Sequence, residues 1–103
     1  MTKKRQYRDF KELLYVKLRD PQVAIAYLND ALNDARETQD NRVFLLALKD
    51  VIDARGDISG LAEAAHLHRQ NIYRMFSEDG NPTLDSLMAI FNAMRVKVSL
   101  SLA

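Results

Sequence analysis

The apolar positions fall into stripes with helical spacing, separated by short polar breaks. Phe10, Leu13, Leu14 and Leu18 recur at the period of one helix face, which predicts a short helix over residues 10–18. Asp20-Pro21 then punctuates the chain. An Asp side chain accepts from the free N–H groups of a first turn, and Pro lacks an N–H that would be unpaired there anyway. A second helix is predicted to about Glu37, with Ala24, Tyr27, Leu28, Ala31 and Ala35 on its inner stripe and Leu32 at the edge. Thr38-Gln39-Asp40-Asn41 is a polar break that offers Asp40 or Asn41 as the next cap. The third helix is predicted from about Arg42 to Arg55. Phe44, Ala47, Leu48 and Val51 form its stripe, and Leu45 and Ile52 widen it. Gly56 ends it, since a left-handed conformation carries no Cβ penalty there.

Two short helices follow, over residues 58–65 and 69–76. A turn at Glu78-Asp79-Gly80-Asn81-Pro82 leads to Thr83, a good cap with Asp85 in the first turn behind it. The helix over 84–94 is expected to bury Leu84, Leu87, Met88, Phe91 and Met94. The period then changes to two: Val96, Val98, Leu100 and Leu102 alternate with Lys97, Ser99 and Ser101, which predicts a strand over Arg95–Leu102. No second strand is legible in the chain. Such a strand must pair with another chain, or lie as an extended tail over the core.

Composition narrows the class. The 103 residues suffice for a single domain with one core. Hydrophobic residues at 48% and charged residues at 28% indicate a globular chain, and only 3 Gly and 2 Pro favour long regular elements. The absence of Cys excludes disulfides and thiolate metal sites and suits a reducing, cytoplasmic setting. No signal peptide or membrane span is legible. The net charge is +1, but residues 1–19 hold seven basic against two acidic side chains, and residues 20–57 hold four against eight. The first nine residues read as a basic flexible arm, suited to phosphates or simply solvated. The carboxylates of helices two and three read as a solvated face or as a surface for a basic partner.

The segment Asp57–Phe76 carries the candidate chemistry. Leu61 and Ala65 lie i, i+4 on its first helix, and Ala62 is small enough for a close helix approach. Leu67 plugs the turn, while Ile72, Met75 and Phe76 turn the second helix onto the core. That alternation of small and large residues is what a tight helix-turn-helix pair requires. Gln70, Tyr73 and Arg74 then face outward, flanked by Arg69 and Asn71. Arg suits guanine O6/N7, Gln or Asn suits adenine N6/N7, and Tyr suits phosphate or a thymine methyl. The candidate DNA-binding set is Ser59, His68, Arg69, Gln70, Asn71, Tyr73 and Arg74.

This segment, with Asn81-Pro82-Thr83-Leu84-Asp85-Ser86-Leu87, resembles the Xre/Cro-like family of helix-turn-helix domains. Asp20-Pro21, Tyr27–Leu32, Phe44–Gly56 and Asn71–Arg74 together resemble the HigA-like addiction-module antidote proteins over about residues 20–102. Resemblance and periodicity together give the expected fold: an all-α, lambda-repressor-like helix-turn-helix bundle with extra N-terminal helices and a C-terminal β-strand. Length, charge and periodicity divide a single domain, 1–103, into an arm (1–9), N-terminal helices (10–38), a helix-turn-helix core (40–94) and a strand (95–102). The resemblance implies an antitoxin that neutralises a RelE-like, mRNA-cleaving toxin and binds the double-stranded operator of its own operon as a homodimer. A phage-type repressor with no toxin partner is the alternative. Two positions depart from the family: His66 stands where Gly is usual in the turn, and His68 stands where Ser or Thr usually caps the second helix. His tolerates a positive φ at a strain of about 1 kcal/mol.

Other chemistries find no support in the pattern. His66 and His68, two apart, share no helix face and no carboxylate cluster completes a metal site. No nucleophile has a base and an orienting group, and no Gly-rich phosphate loop occurs. The expectation is therefore a protein that is not an enzyme and holds no cofactor or metal.

Overall fold

The computed structural model describes the backbone of residues 2–103 and the side chains from Gln6 onward. The side chains of Lys3, Lys4 and Arg5, part of the expected basic arm, lie outside the described residues. The chain divides into two compact units, Met1–Gly56 and Asp57–Ala103. The division is written in the sequence of the joint. Gly56 closes one helix in the left-handed conformation, φ 72°, and Asp57 caps the next by accepting from the Gly60 N–H at 3.0 Å.

The first unit holds α1 (Thr2–Leu18), α2 (Pro21–Thr38) and α3 (Arg42–Arg55). The helix expected from residue 10 starts at Thr2, because nothing in the basic stretch breaks it: Lys, Arg and Gln are good helix formers, and no Gly or Pro intervenes. Asp20 caps α2 by accepting from the Gln22 N–H at 2.9 Å, with Pro21 in the first turn. Asp40 accepts from the Arg42 N–H at 3.0 Å at the start of α3. Ala24, Leu28, Ala31 and Ala35 of α2 are buried, and three alanines in that stripe let it lie close to α3. From α3, Phe44, Ala47, Leu48, Val51, Ile52 and Ala54 are buried.

α1 packs differently. Leu18 is buried and Leu14 half-buried, but Phe10 and Leu13 are 67% and 55% exposed, against the core role expected of that stripe. The reason lies on α3, which meets α1 with polar residues. Tyr15 Oη lies 3.3 Å from Asp50 Oδ1 and 3.4 Å from Asp53 Oδ2, and Arg19 Nε donates to the Ala54 carbonyl at 3.3 Å. From α2, Tyr27 Oη donates to Asp50 Oδ2 at 2.9 Å. One carboxylate on α3 thus binds a phenol from each of the other two helices. Burial, then the Asp50 and Asp53 charges, raise the Tyr15 pKa well above the ordinary phenol range. Burial and the Asp50 bond push Tyr27 up to about 12.

The second unit holds α4 (Ile58–Ala65), α5 (Arg69–Met75) and α6 (Leu84–Ala93). Thr83 caps α6 by accepting from the Ser86 N–H at 3.1 Å. Gly80 sits against the chain ahead of it: a methyl group there would strike the carbonyls of Arg74 and Met75. Ile90, Phe91 and Met94 are buried and Leu87 half-buried, a face at i, i+3, i+4 and i+7. Leu84 and Met88, expected inside, are 73% and 39% exposed. The helix is turned so that Ile90, unmarked in the sequence reading, takes the innermost position.

The expected C-terminal strand is absent. No strand occurs among the described residues, and residues 96–103 form no regular element. Arg95 ends the helical path at φ 60°, with the Val96 N–H returning to the Phe91 carbonyl at 2.8 Å. Leu100 and Leu102 are essentially fully exposed. Alternation describes only one edge of a ladder, and the described residues hold no second extended segment to supply the other. No described helix is long and apolar enough to cross a membrane.

Candidate nucleic-acid interface

The second unit presents its polar face through α4, a tight turn and α5. On α4, Leu61, Ala62 and Ala65 are buried, and the two alanines keep that surface flat. His66 then takes the left-handed conformation, φ 57° and ψ 40°. That reversal brings the Leu67 N–H back to the Ala62 carbonyl at 2.9 Å and leaves Leu67 half-buried in the turn. His68 is extended, φ −76° and ψ 142°, and its carbonyl accepts the first bonds of α5 from Asn71 and Ile72 at 3.0 and 3.2 Å. Its side chain makes no capping bond.

α5 has two faces. Ile72, 1% exposed, and Met75 are buried, and Phe76 just beyond is half-buried. Gln70, Tyr73 and Arg74 stand on the other face at i, i+3 and i+4, all exposed. Ser59, His68, Arg69 and Asn71 are exposed as well, so the structure brings every residue of the candidate set to the surface of this unit. Asn71 and Arg74 also line an open depression of about 390 Å³ with Asn81, Thr83 and Ser86. The sequence reading marked none of these last three for the site; their place follows only from the return of the chain through Gly80.

One link could not be read from spacing. Arg69 Nη1 donates to Ser59 Oγ at 3.1 Å, joining the first turn of α4 to the first turn of α5. The bond holds one edge of the guanidinium and leaves the other donors of its fork free. The face therefore offers two guanidinium groups, two amides and a phenol on a helix anchored from behind by Ile72. Such a surface can hydrogen-bond phosphates and base edges. No described group of three or more His, Cys, Asp or Glu is placed to hold a metal ion.

These features define the class: a small protein of two helical units, one of which displays a short, polar, arginine-bearing helix. The chain belongs to the family described as "Probable addiction module antidote protein", whose model matches residues 9–102. Membership places it among the antidote components of toxin–antitoxin pairs and implies a toxin partner. No curated protein and no solved structure matches the chain.

Proposed function

We propose that this antidote is a HigA-like, sequence-specific DNA-binding protein, which neutralises a RelE-like toxin and represses its own operon from the operator. α4 and α5 act as the helix-turn-helix, with α5 as the recognition helix in the major groove. Ser59 and His68 meet phosphates at the groove edge, while Arg69, Gln70, Asn71 and Arg74 meet base edges. Tyr73 reaches a phosphate or a thymine methyl. The observation that carries this reading is the two-faced build of α5: Ile72 buried at 1% exposure, with Gln70 and Arg74 exposed on the opposite side. One recognition helix reads only half of an operator, so the chain binds as a homodimer to two half-sites about one DNA turn apart.

The test is a fluorescence-anisotropy titration with duplex DNA taken from upstream of the operon. Arg69→Ala and Gln70→Ala each cost about 1–3 kcal/mol of binding, roughly 5–150-fold, and relax preference at one base pair. Wild-type affinity in both variants refutes the assignment. The same titration gives the stoichiometry, and one chain per operator refutes the dimer.

A further inference from the structure

The outward face of α1 is centred on Leu13, which is 55% exposed. Phe10 and Val16, three residues to either side, are 67% and 58% exposed. Asp9 and Lys17, four residues to either side, are exposed as well. At about 100° per residue these positions all lie within about 60° of Leu13 round the helix, with uncharged Gln6 at the N-terminal end of the same arc. The other described charges of α1, Arg8, Lys11 and Glu12, fall about 100° or more from Leu13.

The face is a palindrome. Reversing the helix about Leu13 exchanges Phe10 with Val16 and Asp9 with Lys17. A two-fold interface requires this property, because each residue i that meets j is matched by j meeting i. A second α1 laid antiparallel sets Leu13 against Leu13, Phe10 level with Val16, and Asp9 level with Lys17, the last two pairings occurring twice. Laid parallel, it would oppose Asp9 to Asp9 and Lys17 to Lys17. Asp9 and Lys17 make no ion pair among the described residues. The charges on the inner side of the helix are already occupied. The Lys11 ammonium lies 5.7 Å from the Tyr7 ring centre and 5.8 Å from that of Tyr15. In the groove that Phe10 and Lys11 line, Asp50 accepts from Tyr27 at 2.9 Å and Lys49 pairs with Asp53 at 3.0 Å.

We infer that this face of α1 is the dimer surface, and that it is covered by the α1 of a second copy running antiparallel. The inference rests on the homodimer reading above and adds the place and the chemistry of the contact. Each copy removes Phe10, Leu13 and Val16 from water, and opposite charges close both ends of the contact. A different partner has no need of a face that repeats itself in reverse, and Asp9 with Lys17 presents it with no single sign to match. A helix pair of this length buries less than the roughly 1,200–2,000 Å² of a standard interface, so the free chain associates weakly and paired half-sites complete the dimer. The pairing face belongs to the first unit and the recognition face to the second.

The experiment is sedimentation equilibrium of the full chain, from micromolar to near-millimolar concentration, with helicity checked by circular dichroism. Wild type is expected to pass from one chain to two across the series. Leu13→Glu opposes two carboxylates at the centre of the contact and is expected to weaken association by at least about tenfold. Asp9→Lys and Lys17→Asp each oppose like charges at both ends, and each is expected to weaken it about tenfold. Recovery then separates pairing from damage to the fold. An equal mixture of the Asp9→Lys and Lys17→Asp chains again brings opposite charges together at both ends, and so does the double swap Asp9→Lys/Lys17→Asp within one chain. Both should associate as wild type does; failure of both to recover overturns the antiparallel pairing. Association of Leu13→Glu and of both charge variants at wild-type strength overturns the α1 surface and leaves the homodimer reading standing. So does a Leu13→Glu chain that dimerises normally but no longer binds the purified product of the neighbouring gene, which would give this face to the toxin. A wild-type chain that stays monomeric throughout overturns the inference, and one that also occupies the operator singly overturns the homodimer reading with it.

Discussion

Removing one hydroxyl, by Tyr27→Phe, tests whether the polar seam holds the first unit together. Tyr27 Oη donates to Asp50 Oδ2 at 2.9 Å, and Asp50 also faces Tyr15 at 3.3 Å. A hydrogen bond to an ionised group contributes about 1.5–3 kcal/mol when well shielded. Tyr27 and Asp50 are only half-buried, so solvent screening reduces the expected loss to about 1 kcal/mol. The pH dependence has a definite sign. Burial and the Asp50 bond push the folded-state pKa up to about 12, above the unfolded value near 10. The folded chain thus keeps a proton through a window in which the unfolded chain loses it. The contribution is complete below about pH 10, declines as pH rises, and is lost above about pH 12. Because Tyr27 is half exposed to solvent, the contribution is on the order of 1 kcal/mol. Urea unfolding of wild type and Tyr27→Phe should therefore show a gap of about 1 kcal/mol near pH 8 that closes towards pH 12. No gap near pH 8, or a gap that stays constant through the alkaline series, refutes the reasoning.

Two further outcomes test the second unit. Ile72→Ala removes a side chain that is 1% exposed behind the recognition face, and should cost about 2–5 kcal/mol in urea unfolding; a loss below about 1 kcal/mol would mean that α5 is not anchored through Ile72. Gly80→Ala drives a methyl group into the carbonyls of Arg74 and Met75 and should cost about 1–3 kcal/mol by the same measurement, with wild-type stability contradicting the close approach.

The residues that ended and began helices were legible because capping is local. Asp20-Pro21, Gly56 and Thr83 act within their own turns, and the structure uses each in that way. His66 was placed by the resemblance instead, at a turn position where the family usually has Gly, and the structure gives it φ 57°. What failed depended on a second segment. The alternation in 96–102 is compatible with a strand, but a ladder is a property of two chains of peptide groups, and periodicity in one says nothing of the other. The phase of α6 failed by a similar route: Leu84, Leu87, Met88 and Phe91 make an acceptable stripe, and only packing shows that Leu87, Ile90, Phe91 and Met94 is the inner one.

The faces of α5 and α1 show where periodicity alone stops. On α5 the spacing separated Ile72 and Met75 from Gln70, Tyr73 and Arg74, and burial follows that division. The residue types differ between the two faces, so spacing and chemistry point the same way. On α1 the same rule selected Phe10, Leu13, Leu14 and Leu18 as one buried stripe, yet Leu18 is buried, Leu14 half-buried, and Phe10 and Leu13 exposed. The missing information sat on α3, where Asp50 and Asp53 occupy the side that meets α1. Carboxylates facing a helix favour phenols over leucines, so Tyr15 meets Asp50 and Asp53, and Phe10 and Leu13 are left outside. An apolar stripe records that some surface is to be buried; which molecule buries it is decided by the polar residues opposite.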